Sequence, residues 1–265
     1  MESPAPASRV PAIEVARLST RFGTSLVHEE VNLTVYRGET FALAGGNGSG
    51  KSTLLREIIM LQRPAAGGIR LFGQDTASLG DAERDALLRR CGVMFQYGAL
   101  FSSLTVAENI SVPLREHTRL GKDLVREIAE IKIALVDLPA ESADKYPNEL
   151  SGGMRKRAAM ARAIALDPEI LFLDEPSAGL DPVSAEGIDD LILRLGKLLG
   201  LTVFMVTHDL DSLWRVTDRV AVLGNGRILG IGTMEELSRM ENPLIQPYFH
   251  GPRGRAAGEQ TWKRK

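Results

Sequence analysis

The feature that most constrains the fold is GGNGSGKST, residues 45–53, a glycine-rich loop between two regular elements. The β-type run TFALAG leads directly into it, and KSTLLREIIM continues as a helix from about Lys51. The loop fits the pattern G-x-x-x-x-G-K-[ST] at Gly45, Gly50, Lys51 and Ser52. Main-chain N–H groups in such a loop converge on phosphate oxygens, and the helix N-terminus adds partial positive charge. We therefore predict a phosphate-binding loop here.

The lysine and the serine of this loop have separate expected roles. Lys51 would reach the β- and γ-phosphates of a nucleotide, and the Ser52 hydroxyl would ligate Mg²⁺. The other loop residues expected to contact the nucleotide are Asn47, Gly48, Ser49 and Thr53. The alternative is a chance glycine-rich turn, and the strand ahead of the loop argues against it.

A second segment, ILFLDEP at residues 170–176, ends an apolar run in two acids. As a buried strand it would place Asp174 and Glu175 at the carboxyl edge of the sheet, where open α/β sheets bind ligands. Asp174 would hold Mg²⁺ through water. Glu175 would lie beside the γ-phosphate and polarise the attacking water. The alternative is a pair of acids that only caps a strand end before Pro176.

The order of the elements predicts the fold class. Short β-type runs and a hairpin, GGIRLFGQD, surround the phosphate loop, and a mostly helical stretch follows from about residue 81 to 149. In that stretch Leu124, Ile128, Ile131 and Leu135 fall at helical spacing and form one apolar stripe. Strands then alternate with helices. The sequence therefore predicts a mainly parallel α/β core with an inserted helical subdomain.

Composition narrows the functional class. The 265 residues are 44% apolar and 25% charged, as in ordinary globular proteins, and the net charge of -2 lacks the basic character of nucleic-acid-binding domains. Cys91 is the only cysteine, so no internal disulfide can form and we expect a reducing compartment. No apolar run approaches the roughly 18–20 residues that span a bilayer. We expect a cytosolic chain whose membrane role needs a partner.

Six motifs occur in one order: GGNGSGKST, Gln96, LSGGM, ILFLDEP, SAGLD and VTHD. In this order the chain resembles the nucleotide-binding subunits of ABC transporters, from roughly Ala12 to Asn242. The resemblance implies a P-loop NTPase fold with a RecA-like, mostly parallel sheet core, an antiparallel β subdomain and an inserted α-helical subdomain. It also implies ATP and Mg²⁺ as cofactors. We expect a flexible leader at 1–11, the ATPase domain at 12–242 with its helical subdomain at about 92–155, and a C-terminal extension with a basic tail at 243–265.

The same resemblance implies roles for single residues outside the two phosphate and metal motifs. Phe22 would stack on adenine, with a core phenylalanine as the alternative. Gln96 would touch both Mg²⁺ and the attacking water. His208 would hydrogen-bond the γ-phosphate and hold the water together with Glu175. Asp181 would lie in a loop that crosses to a second subunit.

LSGGM accounts for a second anion site far from the phosphate loop. In the resembling family two subunits pack head to tail, so Ser151, Gly152 and Gly153 would hold a γ-phosphate bound mainly by the neighbouring chain. The implied state is a homodimer with two shared ATP sites. The alternative is an ordinary helix cap by Ser151. Met154 departs from the family's usual glutamine and can neither donate nor accept a useful hydrogen bond.

The segment FQYGALFSSLTVAENISVPLREHT, residues 95–118, is similar to the MlaF-type ATPases of lipid-trafficking systems that carry an MCE protein. This resemblance implies phospholipid transport between inner and outer membranes, with a permease, a periplasmic MCE protein and possibly a small STAS-domain protein as partners. The chain would lie on the cytoplasmic side of the bacterial inner membrane. Residues 97–101 would receive the permease, with core packing of Leu100 and Phe101 as the alternative.

Other classes fit less well. A chromosome or repair ATPase needs a long coiled coil, and residues 52–170 show no sustained heptads. A translation-type ABC protein has two cassettes, and this sequence has one. Glu175 and His208 argue against an inactive nucleotide switch. An amino-acid or metabolite importer stays open as the alternative, and the basic end GPRGRAAGEQTWKRK could be a solvated tail, a contact to anionic headgroups or a contact to the neighbouring subunit.

Overall fold

A computed structural model of the chain describes residues 9–246. Its strands are β1 (Pro11–Phe22), β2 (Ser25–Tyr36), β3 (Thr40–Gly45), β4 (Ala66–Leu71), β5 (Gln74–Asp75), β6 (Cys91–Met94), β7 (Ile170–Asp174), β8 (Thr202–Val206), β9 (Arg219–Gly224) and β10 (Arg227–Gly232). Its α-helices are α1 (Lys51–Ile58), α2 (Asp81–Leu88), α3 (Val106–His117), α4 (Lys122–Leu135), α5 (Gly152–Ala163), α6 (Pro182–Leu199), α7 (Leu210–Val216) and α8 (Met234–Ser238). Two short 3-10 helices, Ala140–Asp144 and Pro147–Glu149, lie between α4 and α5.

The larger sheet has the strand order β10-β9-β3-β8-β7-β6. Its neighbouring strands from β9 to β6 are parallel, and β10 joins the edge antiparallel to β9. Every residue of β7 and β8 is buried, as expected for parallel strands covered on both faces. The carboxyl ends of β3, β8 and β7 therefore lie side by side at one edge. The predicted mostly parallel core is confirmed.

The smaller sheet is antiparallel and has the order β2-β1-β4-β5. It contains the β-type runs ahead of the phosphate loop and the GGIRLFGQD hairpin, so the implied antiparallel β subdomain is confirmed as well.

The core lies on both faces of the parallel sheet because successive strand residues point to opposite sides. Phe41, Phe172 and Phe204 point toward α1 and the antiparallel sheet, with the Phe41 and Phe204 ring centroids 6.0 Å apart. Ala42 and Ala44 alternate with Phe41 and Leu43 along β3, so they point toward the helices on the other face of the sheet. The two cores thus fix the sheet between two layers.

The helical region differs in detail from the sequence expectations. The expected lower limit, 92, falls inside β6, which pairs with β7 in the main sheet, and the expected upper limit, 155, falls inside α5. Pro11 already begins β1, while residues 1–8 and 247–265 lie outside the described residues. The division into domains at those limits stays a prediction.

Helix α4 forms where its apolar spacing predicted, and the stripe identified in the sequence is partly buried. Leu124 and Ile131 are 45% and 58% exposed, whereas Ile128 and Leu135 pack against the core. The fully buried apolar residues, Val125, Ala129 and Ile133, form a neighbouring row. Both rows are apolar, so spacing alone could not distinguish the face toward the core from its neighbour.

A buried carboxyl joins α6 to α7. Asp189 of α6 accepts hydrogen bonds from the Ser212 hydroxyl, which lies 2.9 Å from each carboxylate oxygen. Burial raises the pKa of Asp189 from 3.8 to about 6, because removing the carboxylate from water disfavours its charged form. The folded chain therefore binds this proton more tightly than the unfolded chain does.

We predict that Asp189→Asn stabilises the protein only where Asp189 is ionised. Between about pH 4 and 6 the unfolded chain gives up this proton more readily than the native chain does. The free energy of unfolding of the native protein therefore decreases as pH rises through this range, and the decrease persists above pH 6. The amide carries no charge and keeps the contact with Ser212. Thermal unfolding should give a Tm that is a few degrees (roughly 2–4 °C per kcal/mol) above native at pH 7.5, with a difference that shrinks as pH falls and nearly vanishes below about pH 4.

The matched control is Asp190→Asn, which changes the exposed neighbour that pairs with Arg215. It should show no gain that grows with pH. An equal Tm difference between Asp189→Asn and native protein at every pH would contradict the assignment.

Candidate active site

The glycine loop joins β3 to α1 as predicted, and two of its glycines are sterically required. A Cβ on Gly45 would lie 2.5 Å from the carbonyl oxygen of Leu223. Gly50 has φ 99°, and a Cβ there would lie 2.4 Å from the Nε2 of His28. Any other residue at these positions would have to displace backbone or a buried ring, so the loop can only be built with glycine.

Lys51 brings positive charge into the centre of the loop. Its ammonium donates to the carbonyl oxygens of Gly45 at 2.8 Å and Gly46 at 3.0 Å. Burial lowers the pKa of Lys51, while the nearby carboxylates of Glu175 and Asp174 raise it. The side chain is therefore already held where phosphate oxygens would enter.

A buried polar cluster supports the loop from below. Nε2 of His28 lies 3.1 Å from the Gly50 carbonyl oxygen and must donate, because a carbonyl only accepts. Its Nδ1 lies 2.7 Å from the Thr20 hydroxyl, which in turn lies 2.8 Å from a carboxylate oxygen of Glu57 in α1. The sequence analysis missed this cluster. Its signal was a histidine in strand β2 and a glutamate on the apolar side of α1.

Two of the three metal-binding residues expected from the sequence, Ser52 and Asp174, are brought together. The Ser52 hydroxyl donates to a carboxylate oxygen of Asp174 at 3.3 Å, although 122 residues separate them. Burial raises the pKa of Asp174, Glu175 raises it further, and the Ser52 hydrogen bond opposes both. A cation bound here would favour the ionised form.

The donor set fits Mg²⁺ that arrives with a nucleotide. Mg²⁺ usually takes one or two protein oxygens and completes its octahedron with phosphates and water. Within residues 9–246 no group of three or more acidic, histidine or cysteine side chains could hold a metal by itself. Ser52 and Asp174 would supply the oxygens, and Gln96, in the loop after β6, is the further expected ligand.

Glu175 and His208 meet at the end of β7. Nδ1 of His208 lies 2.8 Å from one carboxylate oxygen of Glu175, and the Thr207 hydroxyl donates to the other at 3.3 Å. An ionised carboxylate can only accept, so Nδ1 then carries the proton. A contact from His208 to a γ-phosphate would use Nε2, on the other side of the ring. Thr207 was not singled out from the sequence, although it belongs to VTHD.

Glu175 is held in an unusual main-chain conformation. Its φ is 49°, in the left-handed region that side chains other than glycine rarely adopt. The Glu175 N–H donates to the Val206 carbonyl oxygen at 2.8 Å, which turns the chain away from β7. Such conformations cost about 1–3 kcal/mol and persist where the surroundings enforce them, often at functional sites.

The remaining candidates lie away from these groups within one chain. Phe22, at the end of β1, is 53% exposed and is therefore not a core residue. The Ser151 hydroxyl caps α5 by accepting from the Met154 N–H at 3.2 Å. Asp181 caps α6 by accepting from the Ser184 N–H at 3.0 Å. Their expected contacts to adenine, to a second chain's nucleotide and to a second subunit stay predictions.

A cleft of about 310 Å³ connects the loop after β6 with the start of α5. Gln96, Gly152 and Lys156 line it together with residues 178–180, which precede Asp181. Tyr97 beside it is 92% exposed and Phe101 is half exposed, whereas Leu100 packs against the core. Core packing thus accounts for Leu100 and not for Phe101.

No helix in the described part of the chain is long and apolar enough to cross a membrane. The model of the ABC transporter family matches residues 28–178. This match includes the phosphate loop, Gln96, LSGGM and the end of β7.

The names of three similar proteins give three different transported substrates. The intermembrane phospholipid transport ATP-binding protein MlaF of Haemophilus influenzae is 38% identical over 90% of this chain and 90% of its own. A probable ribonucleotide transport ATP-binding protein, mkl, of Mycobacterium bovis is 38% identical over 91% of this chain and 67% of its own. The methionine import protein MetN of Caulobacter vibrioides is 44% identical over 78% of this chain and 62% of its own.

Among solved structures, a dimeric ATP-binding cassette in a post-hydrolysis state bound to ADP and Pi is similar in fold. Its TM-score is 0.77 at 31% identity, and the match covers 83% of this chain and 98% of that one.

We predict that Asp174→Asn removes the Mg²⁺-dependent part of nucleotide binding. The amide cannot supply an anionic oxygen beside Ser52, so affinity for ATP with Mg²⁺ should fall at least about 10-fold. With EDTA in place of Mg²⁺ the two proteins should bind ATP equally, because Lys51 and the loop are unchanged. A fluorescent-nucleotide titration measures both arms. Equal losses with and without Mg²⁺ would contradict the metal assignment.

Proposed function

This chain belongs to the ABC transporter ATPase family, and from that premise we propose that it powers phospholipid transport between the inner and outer membranes of a bacterium. It hydrolyses ATP as the nucleotide-binding subunit of a transporter. The observation that carries the phospholipid assignment is the match to MlaF, which spans 90% of both chains. The segment at residues 95–118, beside the candidate active site, supports the same assignment.

The proposed working unit is a head-to-tail homodimer with two shared ATP sites. Each ATP is held by the phosphate loop of one chain and by Ser151, Gly152 and Gly153 of the other. The capping geometry supports this: the Ser151 oxygen accepts from the Met154 N–H, which leaves its hydroxyl proton to donate to a γ-phosphate. The N-terminus of α5 adds partial positive charge. Cap and anion site are therefore compatible roles of one serine.

Hydrolysis depends mainly on the positioning of the attacking water and the phosphates and on stabilisation of their charge. Glu175 accepts hydrogen bonds from His208 and Thr207 and keeps lone pairs that orient the attacking water. Lys51 stabilises charge on the β- and γ-phosphates, and Phe22 offers an exposed face to adenine. Mg²⁺, when bound, neutralises charge between the phosphates. Water attacks the γ-phosphorus, the bond to the ADP oxygen breaks, and ADP and phosphate result.

ATP acts on the dimer by a population shift. Only the closed dimer adds the LSGGM contacts, so ATP binds the closed form better and favours it. Hydrolysis removes the shared γ-phosphate and the dimer reopens. We infer that a membrane permease follows this cycle through the exposed Tyr97 and Phe101, which adjoin Gln96. A periplasmic MCE protein and a STAS-domain protein complete the proposed complex, placing this chain on the cytoplasmic side of the inner membrane.

A small-solute importer is the second candidate, because the methionine import relative has the higher identity of 44%. Both candidates use the same ATPase chemistry, so the active site cannot separate them. The permease and its periplasmic partner can.

The test is to purify the tagged full chain from membranes of its host in mild detergent and identify what accompanies it. The phospholipid assignment predicts a permease together with an MCE protein, because both belong to the proposed complex. ATPase activity of that complex should require Glu175 and be retained in phospholipid nanodiscs. Recovery with a methionine- or sugar-binding protein in place of an MCE protein would overturn the phospholipid assignment.

A further inference from the structure

Helix α5 carries a buried lysine that reaches the main chain of two candidate catalytic residues. Lys156 is 7% exposed. Its ammonium donates to the carbonyl oxygen of Gln96 at 2.5 Å and to that of Glu175 at 2.9 Å. Both acceptors are neutral, so this buried charge is not explained by a direct ion pair. Burial lowers the pKa of Lys156, and the carboxylates of Glu175 and Asp174 raise it.

The two carbonyls belong to neighbouring strand ends. Gln96 follows β6 and Glu175 follows β7, and these strands pair in parallel with Met94 opposite Leu173. Lys156 therefore bridges the two loops where the strand hydrogen bonds stop. At Glu175 it holds the residue with φ 49°, whose carbonyl also accepts from the Ala178 N–H at 3.2 Å. The bridge fixes a turn that the chain would not favour alone.

A second basic residue of α5 holds the same loop. The guanidinium of Arg162 donates to the carbonyl oxygens of Gly98 at 2.9 Å and Ala99 at 2.7 Å. The loop after β6 is thus held to α5 through three of its carbonyl oxygens, and of these two basic residues Lys156 is the one that also contacts Glu175. Arg162 therefore anchors the loop, whereas Lys156 also contacts Glu175 and can control its position.

We propose that Lys156 is a positioning residue that couples α5 to the Gln96 loop and to Glu175 of the same chain. The proposal rests on the roles proposed above for Glu175 and Gln96. Ser151, which caps helix α5, would contact the nucleotide of the partner chain, so one helix connects the neighbour's site to the hydrolytic centre of its own chain. Lys156 makes the contact between this helix and the hydrolytic centre of its own chain.

Lys132 provides a matched control for the loss of a buried ammonium. It is 4% exposed in α4, and it pairs with Asp167 at 2.5 Å. Asp167 precedes β7, so this pair lies at the amino edge of the sheet, opposite the candidate active site. Lys132→Met and Lys156→Met make the same chemical change at comparable burial, but only one touches the catalytic main chain.

The experiment measures steady-state ATP hydrolysis, ATP affinity and thermal unfolding for both variants of the full chain. Lys156→Met should lower kcat about 10- to 100-fold, since displacement of a water-orienting group by about 1 Å has effects of this size. ATP affinity should stay within about threefold of native, because the phosphate loop is untouched. Lys132→Met should lower the Tm and leave kcat unchanged. Equal kcat for the two variants would overturn the proposal.

Lys156→Gln tests the contact even if the methionine variant does not fold. Its amide N–H groups can donate to a carbonyl without a charge, so kcat should fall measurably below the native value, with native ATP affinity. A folded Lys156→Gln with native kcat, or with a loss confined to ATP affinity, would overturn the positioning role.

The double variant Lys156→Met with Glu175→Gln separates this proposal from the function on which it rests. If Lys156 acts through Glu175, single-turnover rates should show a combined loss smaller than the product of the two single losses. A full product would overturn the positioning role while leaving Glu175 as catalytic. Substantial hydrolysis by Glu175→Gln alone would instead refute the proposed role of Glu175, and with it this inference.

Discussion

The parallel pairing of β3, β8 and β7 determines where every candidate catalytic group lies. Val206 at the end of β8 pairs with Leu43 of β3 on one side and with Asp174 of β7 on the other. The phosphate loop, the acids after β7 and the His208 loop therefore leave the sheet at one level and one edge. A shift of one residue in either pairing would move Asp174 away from Ser52, because strand residues alternate between faces.

Buried charge at this edge is nearly balanced before a nucleotide binds. The carboxylates of Asp174 and Glu175 raise the pKa of both Lys51 and Lys156 and so favour their charged forms, while burial lowers the pKa of each lysine. Buried charges are costly unless paired or hydrogen-bonded, and here both lysines donate to main-chain carbonyls. The two lysines have different proposed roles because they lie in different places. Lys51 lies where the phosphates of a nucleotide would enter, and Lys156 lies behind the acids.

Glycine pattern and strand periodicity are local properties, and from them the sequence predicted the α/β class, the mainly parallel core and the strand-loop-helix unit. The antiparallel sheet was expected from the family resemblance. The sequence also named Ser52, Asp174, Glu175 and His208, whose motifs stand at strand ends. It did not find Lys156 or the His28 cluster, because their partners lie 8 to 60 residues away and only the fold brings them close. It did not identify Val125, Ala129 and Ile133 as the fully buried row of α4, because two adjacent apolar rows differ only in their surroundings.

The central claim is that each reaction centre is built from two chains, and mixed dimers of two inactive variants test it most directly. Lys51→Ala damages the phosphate loop. Gly153→Asp places negative charge at the start of α5, where a Cβ meets only Ser184 at an ordinary 3.6 Å. With shared sites, a mixed dimer combines the intact loop of one chain with the intact α5 of the other, so ATP hydrolysis should reappear on mixing. No recovery, in mixtures whose dimers are shown to contain both chains, would contradict the account.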